Sequence, residues 1–148
     1  MIHEYLKDLA EALKRQQFWL QHSYDESSGI KIKQDYTVPD FDTLEMLTSR
    51  FARSIDFLVR KVWRAIDEAE FESQGTLIDV INRAHKRGLF DDAEIVQQIK
   101  QIRNDVAHEY LNERLKELFA DVVRYTPAML DMIRRTIVYY EQHFLSEK

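Results

Sequence analysis

Glycine and proline are scarce in this chain, and this scarcity is the feature that most constrains its fold. The 148 residues include three glycines and two prolines. An all-β sandwich or barrel needs a turn signal every 8 to 12 residues or so, and glycine and proline supply many of those turns. A chain with so few of them favours long helices, so we expect an all-α fold.

Apolar residues recur at spacings of three and four along most of the chain, which is the period of an amphipathic helix. Leu6, Leu9 and Leu13 begin this pattern. We therefore assign residues 1–22 to an N-terminal helix, 23–41 to a polar loop and 42–145 to a helical bundle. At this length the chain can bury a substantial core, so we expect residues 1–148 to form a single domain.

Capping residues predict where the middle helices begin. Asp42 is followed three residues later by Glu45, the spacing of a capping box, and predicts the start of the second helix. Thr76 predicts the start of a third helix that ends before Gly88. Asp91 predicts the cap of the fourth helix.

The last part of the chain predicts two further helices separated by a proline. The fifth begins near Asn112. Pro127 disfavours helical geometry at Thr126, so we expect a break or kink there and a last helix from Pro127 towards Phe144. The predicted architecture is an antiparallel, up-and-down bundle of five to six helices. Its core should include the aromatic side chains at helical spacings, which are Trp19, Trp63, Tyr139 and Tyr140.

Composition restricts the function classes. No apolar run approaches the roughly 18 residues of a membrane span, and the first residues are too charged for a signal peptide. We therefore expect a cytoplasmic protein with no membrane partner. The formal net charge is −5, so contact with a nucleic acid requires a local basic cluster.

Metal and cofactor sites are not predicted. The chain has no cysteine, and its five histidines are scattered without metal-ligand spacing. The acidic pair Asp91-Asp92 is better explained as a helix cap than as a metal ligand. A Gly-Ser turn followed by Asp-x-Asp, the arrangement of a nucleotidyltransferase, is absent from the sequence.

The fourth helix carries a neutral polar strip opposite its apolar face. At about 100° per residue, Ile95, Ile99, Ile102 and Val106 define the core direction. Asn104 and His108 fall almost opposite, together with Gln97 and Gln101. Such a strip is typical of a face where helices meet across an interface, and a merely exposed histidine is the simpler alternative.

Arg103 and His108 do not share a face of this helix. Their Cα atoms lie about 7.5 Å apart along the axis and diverge by roughly 140°. A two-fold dimer brings the same patch from both subunits together. We therefore expect a homodimer in which the Arg-His set of one subunit complements that of the other.

The motif at the end of this helix, Arg103-Asn104-Asp105-Val106-Ala107-His108-Glu109-Tyr110, resembles the HEPN superfamily (higher eukaryotes and prokaryotes nucleotide-binding domains). The family pattern is an arginine, four to six residues and a histidine. The extension to Tyr110 resembles the HepT-like toxins, partners of minimal nucleotidyltransferase (MNT) antitoxins. The resemblance covers roughly residues 42–145.

The resemblance implies a homodimeric, metal-independent endoribonuclease of a toxin–antitoxin pair that cleaves RNA, with tRNA as the expected target. Arg103 and His108 would be catalytic, with Asn104 in support. Imidazole exchanges protons near neutral pH, and guanidinium stabilises phosphate charge, so these residue types suit the chemistry. The resemblance further implies that the antitoxin transfers AMP to Tyr110 and thereby silences the toxin. No cofactor is implied.

A non-catalytic role remains open as the alternative. The chain also resembles substrate-binding subunits of nucleotidyltransferases, which would dimerise and present a substrate without hydrolysing it. Two basic stretches are candidates for an RNA path, although solvated faces explain them more simply. They are Arg60-Lys61-Arg64 and Arg83-Lys86-Arg87.

Overall fold

The computed structural model describes residues 1–31, 35–72, 74–108 and 115–145, and all regular secondary structure in these ranges is helical. The all-α class is therefore confirmed. The α-helices are α1 (Ile2–Ser27), α2 (Val38–Phe57), α3 (Trp63–Ala69), α4 (Leu77–Lys86), α5 (Ala93–His108) and α6 (Leu115–Tyr140). Single π-helical turns span Leu58–Val62 and Glu141–Leu145.

A π turn joins α2 to α3, so residues 38–69 form one long helical segment. Within this turn the backbone N–H of Trp63 donates to the carbonyl of Leu58, five residues earlier. Trp63 is fully buried and its ring stacks on Phe90. Its indole Nε1–H donates to Thr136 Oγ1 on α6 at 3.1 Å. The turn therefore positions the largest core side chain between three parts of the chain.

The hydrophobic core lies between the long helical segment of residues 38–69 and the helices that pack around it. The N-terminal helix α1 packs against α2, α3 and α6, while α2 also packs against α5. One hydrophobic cluster runs through the described residues, with Leu13, Phe51 and Ile133 among its completely enclosed members. None of the helices in these ranges has both the length and the apolar character needed to cross a membrane.

The predicted loop at residues 23–41 is longer than the segment between the two helices in the structure, because helical residues extend into it from both sides. The first helix continues to Ser27, and α2 begins at Val38 rather than at Asp42. Thr37 is the true N-cap, because its side chain accepts a hydrogen bond from the backbone N–H of Asp40 at 3.2 Å. Pro39 fits the first turn, where a missing N–H costs nothing.

The two later caps had different outcomes. The predicted start at Thr76 is confirmed, because Thr76 and Asp79 form a reciprocal capping box. The predicted cap at Asp91 is wrong. Asp92 Oδ1 accepts from the backbone N–H of Glu94 at 2.9 Å, whereas Asp91 binds both terminal nitrogens of Arg135 on α6.

The predicted division into two helices at Pro127 is also wrong, because α6 runs without interruption from Leu115 to Tyr140. The fully buried Thr126 donates its hydroxyl to the carbonyl of Val122 at 2.6 Å. Proline removes one backbone hydrogen bond of the helix. Burial of Phe119 and Met129 on either side stabilises the helix enough to continue. The predicted start at Asn112 lies outside the described residues.

We expect Thr136→Val to destabilise the fold by about 1–3 kcal/mol, because it leaves the buried indole N–H of Trp63 without its acceptor. Thr126→Val is the matched control, since the Thr126 hydroxyl bonds only a carbonyl of its own helix. We expect it to cost less than about 1 kcal/mol. Urea unfolding of both variants measures the difference, and equal losses would contradict the assigned role of the indole bond.

Candidate functional site

The polar strip of α5 faces outward as predicted. His108 and Asn104 are exposed, as are Gln97 and Gln101. The buried face differs in one respect from the prediction, because Val96 joins Ile99 and Ile102 in the core while Ile95 and Val106 are only half-buried. His108 is therefore not a core histidine.

Arg103 is held by Asp56 on α2, a residue that the sequence analysis missed. Arg103 Nε donates to Asp56 Oδ1 at 2.9 Å, and Nη2 donates to Oδ2 at 3.0 Å. This two-point contact fixes the plane of the guanidinium and leaves Nη1 without a carboxylate acceptor among the described residues. Both side chains remain about one-third exposed, at 37% and 35%. The pair is thus rigid but open to solvent.

The sequence contains a signal for a groove along this side of α2, although not for the contact between Asp56 and Arg103. Along one side of α2 the side chains are small or polar, and an acid follows them one turn later. Small side chains leave space beside a helix, so this pattern along α2 could have predicted a groove. The series is Glu45, Thr48, Ser49, Ala52 and Asp56.

Cavities lie on both sides of the Arg103–Asp56 pair. The larger, of about 290 Å³, is bounded by α2, α5 and α6, and has Arg53 and Phe119 in its walls. The smaller, of about 140 Å³, is lined in part by Arg60, Lys100 and Asn104. Arg103 and Asp56 contribute to both. The arginine therefore stands at the boundary between the two cavities.

His108 lines neither cavity. The structure thus places Arg103 and Asn104 beside the same small cavity but keeps His108 apart from it within one subunit. This agrees with the separation expected from helical geometry. Tyr110, the residue predicted to receive AMP, lies outside the described residues.

The electrostatics of the pair favour a permanently charged arginine. Hydrogen bonds from Arg103 to Asp56 raise the pKa of Arg103 above its ordinary value, and the carboxylate charge adds to this effect. The guanidinium is therefore available as a fixed positive charge at any physiological pH.

Two arginines of one basic stretch, Arg83 and Arg87, form neither the candidate RNA path nor the solvated face that explained the stretch more simply, but a largely buried ionic network. Arg87 binds Asp67 and Glu70, and Arg83 lies 2.9 Å from the same aspartate, which is 1% exposed. Tyr139 donates to Glu70, and burial together with this contact raises the pKa of Tyr139 to about 12. Arg83 and Arg87 therefore tie α3 to α4 and are not free to bind RNA.

The described residues contain no group of three or more His, Asp or Glu side chains arranged to hold a metal ion. Comparisons with protein-family models, with curated proteins and with solved structures found no match for this chain.

The two ionic sites should respond differently to loss of their aspartates. Asp56→Asn should destabilise the protein by less than about 1 kcal/mol, because its pair with Arg103 is partly solvated. Asp67→Asn should cost about 3–5 kcal/mol, since it removes the buried carboxylate that Arg83 and Arg87 share and leaves Arg87 with Glu70 alone. Urea unfolding measures both. A large loss for Asp56→Asn would show that the Arg103 pair is chiefly structural.

Proposed function

We propose that this protein is a HEPN-type, metal-independent endoribonuclease, the toxin of a toxin–antitoxin pair, with Arg103 and His108 as its catalytic residues. The observation that carries the proposal is that Arg103 is oriented by Asp56 at the junction of two cavities. An oriented, partly exposed guanidinium between cavities suits recognition of a phosphodiester. An exposed histidine on the same helix supplies a group for proton transfer.

The proposal includes a homodimer of antiparallel, up-and-down bundles. The side chains of the outward strip that contains Asn104 and His108 are neutral and polar, and Gln101 of this strip donates to the flanking Asp105 carboxylate at 3.0 Å, so the strip suits contact between two copies. A two-fold axis through this strip brings the His108 of one copy towards the Arg103 of the other. The dimer would thus complete a site that one subunit leaves divided.

The proposed reaction is transfer within the RNA strand. The ribose 2′-oxygen bonds to phosphorus while His108 accepts the 2′ proton. The bond from phosphorus to the 5′-oxygen breaks, and water protonates the leaving oxygen. Arg103 stabilises the charge on the phosphate oxygens through its donors not used by Asp56. The products are a 2′,3′-cyclic phosphate and a 5′-hydroxyl, and Asn104 supports the substrate or the imidazole.

Regulation is proposed to act through Tyr110. In the toxin family that the motif resembles, an MNT antitoxin transfers AMP to this tyrosine. Because Tyr110 lies two residues beyond His108 in the sequence, the AMP group would add negative charge at the end of the motif and would exclude RNA by repulsion. This proposal places both proteins in the cytoplasm, with tRNA as the expected substrate class.

The alternative is a non-catalytic, substrate-binding subunit of a nucleotidyltransferase. One observation favours it, because Asp56 already occupies one edge of Arg103. In this arrangement Arg103 would stabilise the packing of α5 or contact the partner. His108 would be a solvent-exposed side chain without a catalytic role.

Cleavage in the presence of a chelator separates the two candidates. We expect purified protein to cut bulk tRNA in EDTA, and His108→Ala to lower the rate by about 10²–10⁴-fold through loss of proton transfer. His3→Ala is the matched control, because it makes the same change at an exposed histidine of α1, outside this strip, and should retain full activity.

The cleavage ends give a second readout. Gel mobility after phosphatase and kinase treatment distinguishes a cyclic phosphate from a 3′-hydroxyl. Uncut tRNA at all protein concentrations would exclude the nuclease and favour the substrate-binding subunit. Equal cleavage by the parent and His108→Ala would assign the cutting to another residue or to a contaminant.

A further inference from the structure

A third cavity, of about 390 Å³, lies between α1 and α2 and is rich in positive charge. Arg15 from α1 and Arg50 and Arg53 from α2 line it, together with Gln16 and Trp19. No acidic side chain belongs to its lining. In a chain of net charge −5, three guanidinium groups around one concave surface make a local site for an anion.

These guanidinium groups have no carboxylate partner among the described residues. Arg50 donates to Ser23 Oγ at 2.7 Å and to a backbone carbonyl, and within the described ranges Arg53 donates to the carbonyl of Ser49 alone. Arg87, Arg103 and Arg135, by contrast, each bind carboxylates. The charge of the cavity between α1 and α2 is therefore not neutralised within the described part of the chain.

Trp19 gives this cavity a flat apolar wall. The sequence analysis assigned it to the core, but it is 48% exposed while Trp63 is completely buried. The guanidinium of Arg50 lies over the indole, 5.0 Å from the ring centroid, and the ring of Phe18 meets it edge-on. Exposed aromatic rings and guanidinium groups are surfaces on which nucleic-acid bases stack.

The Gln16 side chain adds an unused polar group to the same cavity. Its Oε1 atom is buried and has no hydrogen-bond partner among the described residues. A buried acceptor without a donor is unfavourable, and the exocyclic amine of a base or a ribose hydroxyl would satisfy it. The cavity thus combines positive charge for a phosphate, a stacking surface for a base and an unpaired acceptor for an amine or a hydroxyl, which are the features of a nucleotide-binding site.

We propose that the α1–α2 cavity binds one nucleotide unit of a single-stranded RNA whose next phosphates lie towards Arg103. Arg15 and Arg53 bind phosphate, the base stacks at Trp19 and Arg50, and Gln16 contacts its polar edge. Arg53 also lines the cavity beside Arg103, which makes the two cavities neighbours along α2. The direction of the strand towards Arg103 rests on the proposed nuclease function, whereas the nucleotide site itself does not.

Binding of an RNA that cannot be cleaved tests the site separately from catalysis. The probe is a fluorescein-labelled, fully 2′-O-methylated 12-mer of mixed sequence, measured by anisotropy with the full chain. Arg15→Gln removes a charge from an exposed side chain and should weaken binding by roughly three- to tenfold. It should also reduce the slope of log Kd against log salt by about one.

Two further variants test the assigned surfaces. Arg134→Gln is the matched charge control, because Arg134 is an exposed residue of α6 outside this cavity. The affinity of this variant for the RNA should stay within about twofold of that of the parent. Trp19→Leu should weaken binding and abolish the quenching of tryptophan fluorescence by the RNA, since Trp63 is inaccessible. Urea unfolding verifies that each variant is folded.

The outcomes separate this site from the nuclease proposal. Binding that depends on Arg15 and Trp19 in a protein that cuts no RNA would support the nucleotide site and exclude the nuclease. Cleavage with affinity unchanged in Arg15→Gln and Trp19→Leu would overturn the site. Free AMP is measured in parallel as a competitor. If AMP binds and the oligonucleotide does not, the site takes a free nucleotide and the proposal of an RNA strand is overturned. If neither binds, the site itself is overturned.

Discussion

The position of Trp63 is the constraint on which the rest of the bundle depends. The π turn before it adds one residue to the helical course of residues 38–69, so the indole meets α6 at Thr136 and the chain before α5 at Phe90. Because interiors are closely packed, this one side chain fixes the relative positions of several helices. The small and polar side of α2 is then left to face α5, where the Arg103 cavities form.

The Arg103–Asp56 pair turns this packing into a candidate site. Arginine is a flexible side chain, and a phosphate bound by a freely moving guanidinium pays for ordering it. The two-point contact with Asp56 orders the guanidinium in advance, while partial exposure keeps the remaining donors accessible. The same logic separates this pair from the Asp67 network, where burial of the charges serves the α3–α4 connection.

The sequence predicted the helices themselves better than their ends or their contacts. Periodicity identified the outward direction of His108 because a regular helix determines it. It misplaced the starts at Thr37 and Asp92, because neighbouring residues with similar capping ability compete within a few positions. It also divided α6 at Pro127, where burial on both sides outweighs one lost hydrogen bond.

The periodicity of the sequence could not predict contacts between residues that are far apart along the chain. Asp56 and Arg103 are 47 residues apart, and nothing in either local pattern indicates that they meet. Trp19 was assigned to the core because its spacing matches the apolar stripe of α1, yet spacing alone cannot tell a buried residue from one at the edge of that stripe. The chemical character of the α1–α2 cavity therefore became apparent only in three dimensions.

The central claim is that Arg103 of one subunit and His108 of another act together, and complementation tests it most directly. Arg103→Ala and His108→Ala are each inactive in this account. Co-refolding them in equal amounts gives heterodimers with one intact site out of two, and RNA cleavage should recover to about a quarter of the parental rate. Mixtures that form heterodimers but remain inactive would contradict the composite site.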